Sequence, residues 1–369
     1  MIRVTFCTVC MNRLHHLKIT LPKNIKDHQH NENARFLLLD YNSVDGLEEW
    51  VNTHLADEIA SQKVTYYKTL EPQSFDRSHS RNLAFKLAPE GLICNVDADN
   101  FTGPDFYQYI AQVFTRNSEC VLGVDRMNLK EGVLRDVVGR ICLRKEDFTN
   151  VRGFDEDMQD YGFEDVDLVS RVRASGKKLV YIDKKKFLKA IPHSNIERYA
   201  EESITKKMFD VLISHLSPQQ TDIILLYNDQ SFEKGTLCDN INYYFEDSTE
   251  EIIANKQNYP RYLIQGDWES GTWRLSGEQL ILESGTGATT IVQQRENDNF
   301  VNDHAPDFQY ISVIKNSSLL SQIKEFYSSM NNWKKMTENE NRPNNAINQN
   351  GYGKGIVFKN FSAEPLIIN

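Results

Sequence analysis

Along the first two hundred residues, short apolar runs alternate with segments whose apolar positions recur at helical spacing. Val4 to Val9 is a β-rich run, and the stretch from Leu14 to Ile25 reads as a helix. Phe36-Leu37-Leu38-Leu39 is an apolar strand ending at Asp40, after which Tyr41-Asn42-Ser43 reads as a turn. A helix around Leu47 to Leu55 and a strand at Val64 to Tyr67 come next. A helix over Ser80 to Leu87, stopped by Pro89 and Gly91, then leads into a buried strand, Leu92-Ile93-Cys94-Asn95-Val96. This alternation predicts an α/β fold with a largely parallel sheet flanked by helices on both faces. Ligand sites in such folds lie at the carboxyl ends of strands, and two of those ends carry acids, Asp40 and Asp97.

Further along, Asn195 to Leu216 reads as one amphipathic helix with Ile196, Tyr199, Ile204, Met208, Val211 and Leu212 on its apolar side. Beyond about Asp239 the texture changes to short β-like pieces broken by Gly, Ser, Asn and Asp: Trp268 to Leu275, Gln279 to Leu282 and Thr289 to Val292. These predict a small meander. A helix around Leu319 to Met330, an Asn-rich loop from Asn339 to Asn350 and a closing strand, Gly355 to Phe358, follow. The expected organisation is a first domain over residues 1–216, with halves 1–110 and 111–216. A β-rich accessory region with a small meander and a helix takes up 217–369. The stretch 239–350 carries no functional signal.

The 369 residues are 40% hydrophobic and 25% charged, which excludes wholesale disorder and coiled coil. No apolar run approaches the roughly 20 residues of a membrane-spanning helix. The start, Met1 to Cys7, enters a strand-like run without the apolar stretch and cleavage site of a signal peptide. The expectation is a cytoplasmic protein, with docking at the inner face of a membrane left open. A formal charge of −10 argues against nucleic acid as a partner. The six cysteines (Cys7, Cys10, Cys94, Cys120, Cys142, Cys238) lie mostly in apolar surroundings that favour reduced, buried thiols. Cys7 and Cys10 form an isolated C-x-x-C within a strand, which reads as core packing.

Three constellations can carry chemistry. Asn95-Val96-Asp97-Ala98-Asp99-Asn100 places two carboxylates one residue apart after a buried strand, a pattern suited to a hard divalent cation carrying a diphosphate. An EF-hand is excluded, because Thr102 stands where that loop needs Gly and Gln108 where it needs Glu. A solvated turn and a phosphatase-type nucleophilic aspartate remain open. In the second, Gly153-Phe154-Asp155-Glu156 precedes Tyr161-Gly162-Phe163-Glu164-Asp165-Val166-Asp167, where a helix begins that Gly176 stops. Capping explains one acid in the first turn, and a carboxylate beside a pocket also suits a general base. The third is His193, in Ile191-Pro192-His193-Ser194.

In their order these motifs resemble the GT-A glycosyltransferases of family 2. Thr8, Asn12-Arg13, the acid after the second strand, Ser80-Arg81-Asn82-Leu83 and Asp97-Ala98-Asp99 are similar to the nucleotide-binding half. Gly153 to Glu156, Tyr161 to Asp165 and His193-Ser194 are similar to the acceptor half of β-1,4-galactosyltransferases and of chondroitin-polymerase-like bacterial enzymes. The resemblance covers about residues 1–216. It implies a GT-A fold in which Asp40 bonds the uracil ring, Thr8, Arg13 and Arg77 line the nucleotide pocket, and Asp97 faces the ribose. It further implies Asp99 and His193 as ligands of Mn²⁺ or Mg²⁺, Asp165 as catalytic base, Glu164 as a donor-sugar contact and Tyr161 as an acceptor-stacking ring. The activity so implied is inverting transfer from a UDP-sugar to a saccharide or glycolipid-linked acceptor, in polysaccharide or glycoconjugate synthesis. Two other classes stay open: a magnesium phosphohydrolase or nucleotidyltransferase using Asp97 and Asp99, and a non-catalytic carbohydrate-binding protein using Trp268 and Trp273.

Overall fold

The alternating pattern of the first half folds largely as its periodicity predicts. A computed structural model describes residues 2–133, 135–217, 220–239, 262–295, 299–302, 305–342 and 347–369. The described chain divides into two units, one of Met1–Ser194 with Asn332–Asn369 and one of Asn195–Asn331, rather than at residue 216.

In the first unit, β1 (Val4–Cys10), α1 (Leu14–Asp27), β2 (Ala34–Tyr41), α2 (Leu47–His54), α3 (Ala56–Ala60), β3 (Val64–Thr69), α4 (Arg77–Leu87) and β4 (Leu92–Asn95) follow one another. They continue as β5 (Asn100–Phe101), α5 (Phe106–Arg116), β6 (Cys120–Gly123), β7 (Cys142–Arg144), α6 (Lys145–Asn150), α7 (Glu164–Ala174), β8 (Lys178–Tyr181) and β9 (Lys189–Ala190). The expected division at residue 110 falls inside α5.

The main sheet runs β19-β18-β3-β2-β1-β4-β7-β6-β8, where β18 (Gly355–Lys359) and β19 (Pro365–Ile368) come from the chain's end. The pairings make all its strands but β7 and β18 point the same way. It is a mostly parallel sheet, and its central strands β1, β2 and β4 are buried on both faces, as such sheets require. The closing strand foreseen at Gly355 to Phe358 thus pairs with β3 and completes this sheet. Cys7, Cys10, Cys94, Cys120 and Cys142 are free and buried, and burial pushes the Cys7 and Cys10 thiols far up, so this C-x-x-C packs the core. The side chain of Cys238 lies outside the described ones, as do residues 343–346 of the Asn-rich loop.

The second unit corrects two expectations. Residues 195–216 are not one helix. They form α8 (Asn195–Tyr199), α9 (Ser203–Lys207) and then β10 (Met208–Ser217). The C-terminal β pieces belong to more than a small meander. With β10 they close an eight-stranded barrel of β11 (Gln220–Tyr227), β12 (Ser231–Asp239), β13 (Tyr262–Ser276), β14 (Gln279–Ser284), β15 (Thr289–Arg295), β16 (Asn299–Asn302) and β17 (Ala305–Ser312). The reason is visible in β10. Val211 and Ile213 join one apolar cluster while Leu212 joins another, the two-residue alternation of a strand buried on both sides. The cluster with Leu212 takes a residue from every strand, including Phe232, Trp273, Leu280, Val292, Phe300 and Tyr310, and so fills the barrel. Val211 and Ile213 pack with Leu320 and Ile323 of α10 (Ser317–Glu340), a helix longer than its predicted Leu319 to Met330. No helix among the described residues is long and apolar enough to cross a membrane.

Candidate active site

β4 delivers the acids. It lies beside β1 with Cys7 opposite Asn95, and the chain leaves the sheet at Val96, whose amide donates to Cys7 O (2.9 Å). Thr8 Oγ1 donates to the Val96 carbonyl at 2.8 Å, so this buried hydroxyl holds the strand end in place. Further on, β5 pairs antiparallel with β9, Asn100 opposite Ala190, and Ile191 N donates to Asp99 O at 2.9 Å. That short ladder brings His193 to Asp99.

His193 Nε2 lies 3.0 Å from Asp99 Oδ2 and 3.5 Å from Asp136 Oδ1. One ligand atom from each of the three side chains falls within 4.8 Å of the others. Two carboxylates and an imidazole are a donor set that suits Mn²⁺. Asp136 sits on a one-turn helix, Arg135–Val137, and sequence reasoning missed it, since nothing around an isolated Asp marks it. Asn100 Nδ2 donates both to Asp99 Oδ1 (2.8 Å) and to the Asp136 carbonyl (3.0 Å). The fully buried Arg140 in turn donates to Asn100 Oδ1 at 2.8 Å and to the Phe187 carbonyl, which fixes the amide's orientation toward the acids.

A second cluster joins the same segment to α7. Phe163 takes a left-handed backbone (φ 66°) before the helix, and Gly162 N donates to Glu164 Oε2 at 3.0 Å. From α4, Arg81 Nη1 donates to Asp165 Oδ1 (2.9 Å) and Glu164 Oε1 (3.2 Å), and its Nη2 donates to Asp97 Oδ1 (3.2 Å). Burial pushes Asp165 up to about 7. Arg81 pulls it down, Glu164 pushes it up, Arg126 pulls it down and Asp97 pushes it up. Burial works against the Arg81 charge, yet Asp165, Asp97 and Glu164 more than reverse this and hold the guanidinium protonated. Asp97 Oδ1 also accepts from Asn95 Nδ2 at 2.9 Å. Asn82, Arg81's neighbour, staples the preceding loop through Phe154: its Oδ1 accepts from Phe154 N (2.7 Å) and its Nδ2 donates to Phe154 O (2.9 Å).

The remaining expected residues divide. Asp40 is fully buried, with Oδ1 accepting from Ser43 N and Oδ2 from the Tyr66 hydroxyl, both at 2.8 Å. Burial raises its pKa, offset in part by those bonds. Here it ties the turn after β2, each oxygen already accepting a hydrogen bond inside the protein. Glu164 is likewise buried with both oxygens held inside the protein. Arg77 donates to the Asp160 carbonyl (2.9 Å), and its guanidinium lies 4.9 Å from the Tyr161 ring centre and 5.5 Å from that of Phe75. Arg13 immediately precedes α1, in the turn that follows β1.

Residues 122–197 match a family model described as the N-terminal domain of galactosyltransferase. This galactosyltransferase-like stretch contains Asp136, Tyr161, Glu164, Asp165 and His193. No curated protein matches the chain. Among solved structures, it is similar to S. aureus TarS 1-349 at 16% identity and TM-score 0.41, over 49% of this chain and 58% of that one. It is similar to the mannosyltransferase PcManGT from Pyrobaculum calidifontis, solved with GDP-Man and Mn²⁺, at 16% identity and TM-score 0.42, over 55% and 62%. The catalytic domain of Drosophila β1,4-galactosyltransferase 7, solved with xylobiose, gives 16% and 0.38, over 55% and 75%. The chain spans less than two thirds of the first two.

Proposed function

We propose that this chain is a divalent-metal-dependent glycosyltransferase that moves a sugar from a UDP-sugar to a hydroxyl of a saccharide acceptor, with inversion at the anomeric carbon. The supporting observation is the segment Asn95 to Asn100, bridged through Asp97 and Arg81 to Asp165 and through Asp99 to His193. A candidate base and a candidate cation site thus share one strand end.

Asp99, Asp136 and His193 would hold the cation, whose chemistry is to neutralise charge on a diphosphate leaving group. Asp165 would take the proton of the acceptor hydroxyl on Oδ2, since Oδ1 is held by Arg81. The acceptor oxygen forms its bond to the anomeric carbon as the bond from that carbon to the diphosphate oxygen breaks, with the electron pair leaving on UDP. Attack from the face opposite the leaving group turns an α-linked donor into a β-linked product. Tyr161, flanked by Arg77, offers an aromatic face on which an acceptor sugar can stack. Such a transfer serves polysaccharide or glycoconjugate synthesis.

A thermal-shift panel of UDP-Gal, UDP-GalNAc, UDP-Glc, UDP-GlcNAc and UDP-GlcA, each with and without Mn²⁺, tests the reading. At least one donor should raise Tm in a Mn²⁺-dependent way, and NMR of the product should show the inverted anomer. Hydrolysis of generic phosphate esters with no response to any UDP-sugar would favour a phosphohydrolase instead.

A further inference from the structure

We infer that Arg81 is the positioning residue of this site: its guanidinium orients Asp165 beside Asp97 and favours the base's anionic form. The inference rests on the reading of Asp165 as the base and goes beyond it, because Arg81 would act through Asp165 without touching substrate.

One buried guanidinium serves three carboxylates. Its flat face lies 5.6 Å from the ring centre of Phe154, so it is packed as well as bonded. The backbone of Gly139 lies against the same cluster. A Cβ there would lie 2.9 Å from Asp97 Oδ2, 3.1 Å from Arg81 Nη2 and 3.3 Å from Asp165 Oδ2, closer than side chains normally approach. Asn95 Nδ2 ties Gly139 to the cluster by donating both to its carbonyl and to Asp97 Oδ1, each at 2.9 Å. Glu164 has its second oxygen bound to Gly162, whereas Asp165 Oδ2 accepts no hydrogen bond among the described residues. The fork therefore orients one oxygen of Asp165 and leaves the other for a proton.

The charged groups facing Asp165 are Arg81 from α4, Glu164 on its own helix, Asp97 after β4 and Arg126 after β6. Without Arg81, two acids and one arginine would remain, and like charges favour the protonated, inactive form. A lysine would keep the charge and lose the fork, so R81K should restore part of what R81Q loses.

The test needs no substrate. Tm is measured from about pH 5 to 9 for wild type, D165N, R81Q, R81Q/D165N, R81K and R81K/D165N. With Arg81 present, the Tm difference between wild type and D165N should bend near pH 7, where Asp165 ionises. In the R81Q background the bend should move up by about one pH unit or more, and R81K should fall between. If R81Q does not fold, the R81K pair alone decides, by the same shift at smaller size. A bend at the same pH in every folded background overturns the proposal. With the donor that the panel selects, the acid limb of kcat/KM should shift likewise, while donor KM stays within about threefold. Near-normal transfer by D165N would refute the base assignment, and the Tm series would still decide whether Arg81 governs Asp165.

Discussion

His193 Nε2 and Asp99 Oδ2 stand 3.0 Å apart although 94 positions separate them in the chain. The contact is made by two short strands, β5 and β9, and by the Ile191 amide bonded to the Asp99 carbonyl. The candidate cation site thus depends on the fold of a whole unit, and so do its predicted responses.

As the proposed base, buried Asp165 gives the proposed transfer a pH dependence whose sign follows from its raised pKa. A base raised to about 7 is protonated below that pH, so transfer should fall about tenfold per unit on the acid side and level off above it. Stability runs the other way. Between the ordinary carboxylate range and about 7 the folded state holds a proton that the unfolded state releases, so this group lowers stability as pH rises, and the loss is complete above about 7. D165N should therefore be more stable than wild type at about pH 8 and similar at about pH 4. Parallel thermal melts check this, and equal differences at both ends would contradict it.

Tyr66→Phe tests the place given to Asp40. It removes a 2.8 Å bond to a buried carboxylate, which should cost about 1–3 kcal/mol in urea unfolding. Affinity for UDP should stay within about twofold if the role of Asp40 is to hold its turn; a large loss of UDP binding at unchanged stability would place Asp40 in the nucleotide pocket.

Gly139→Ala places a methyl against the free oxygens of Asp97 and Asp165 and against Arg81 Nη2. These are side-chain ends that can move, so the fold should survive, with a circular dichroism spectrum like wild type. Their displacement should lower transfer by about tenfold or more, because small misplacement of a reacting group is costly. Wild-type turnover would show that the floor of the cluster tolerates a side chain.

Much of the first unit was legible because its signals are local. Val4 to Cys10, Ala34 to Tyr41 and Leu92 to Asn95 are apolar runs of strand length, and the D-x-D follows the last of them directly. His193 could be paired with Asp99 only by resemblance, since the pairing is made by a two-residue ladder. Asp136 was not legible at all: its place in the candidate cation cluster comes from a single helical turn that brings it to Asp99 and His193, and no neighbouring residue announces it. Arg81 stood in a noted motif, yet its three acid partners lie far along the chain. The barrel was hidden for another reason. Met208, Val211 and Leu212 fit helical spacing, and burial of β10 on both faces turned its two-residue period into a continuous apolar run. Thr8, Asp40 and Glu164 have residue types suited to a ligand, and their polar atoms also hold turns and strand ends, which no sequence pattern announces.

The most direct test of the central claim is calorimetric titration of UDP, with and without Mn²⁺, into wild type, D136A and D165N. Wild type should bind UDP in a Mn²⁺-dependent way, D136A should lose at least about tenfold in affinity, and D165N should stay within about threefold of wild type. UDP binding that ignores Mn²⁺, or a D136A protein that binds as wild type does, would contradict it.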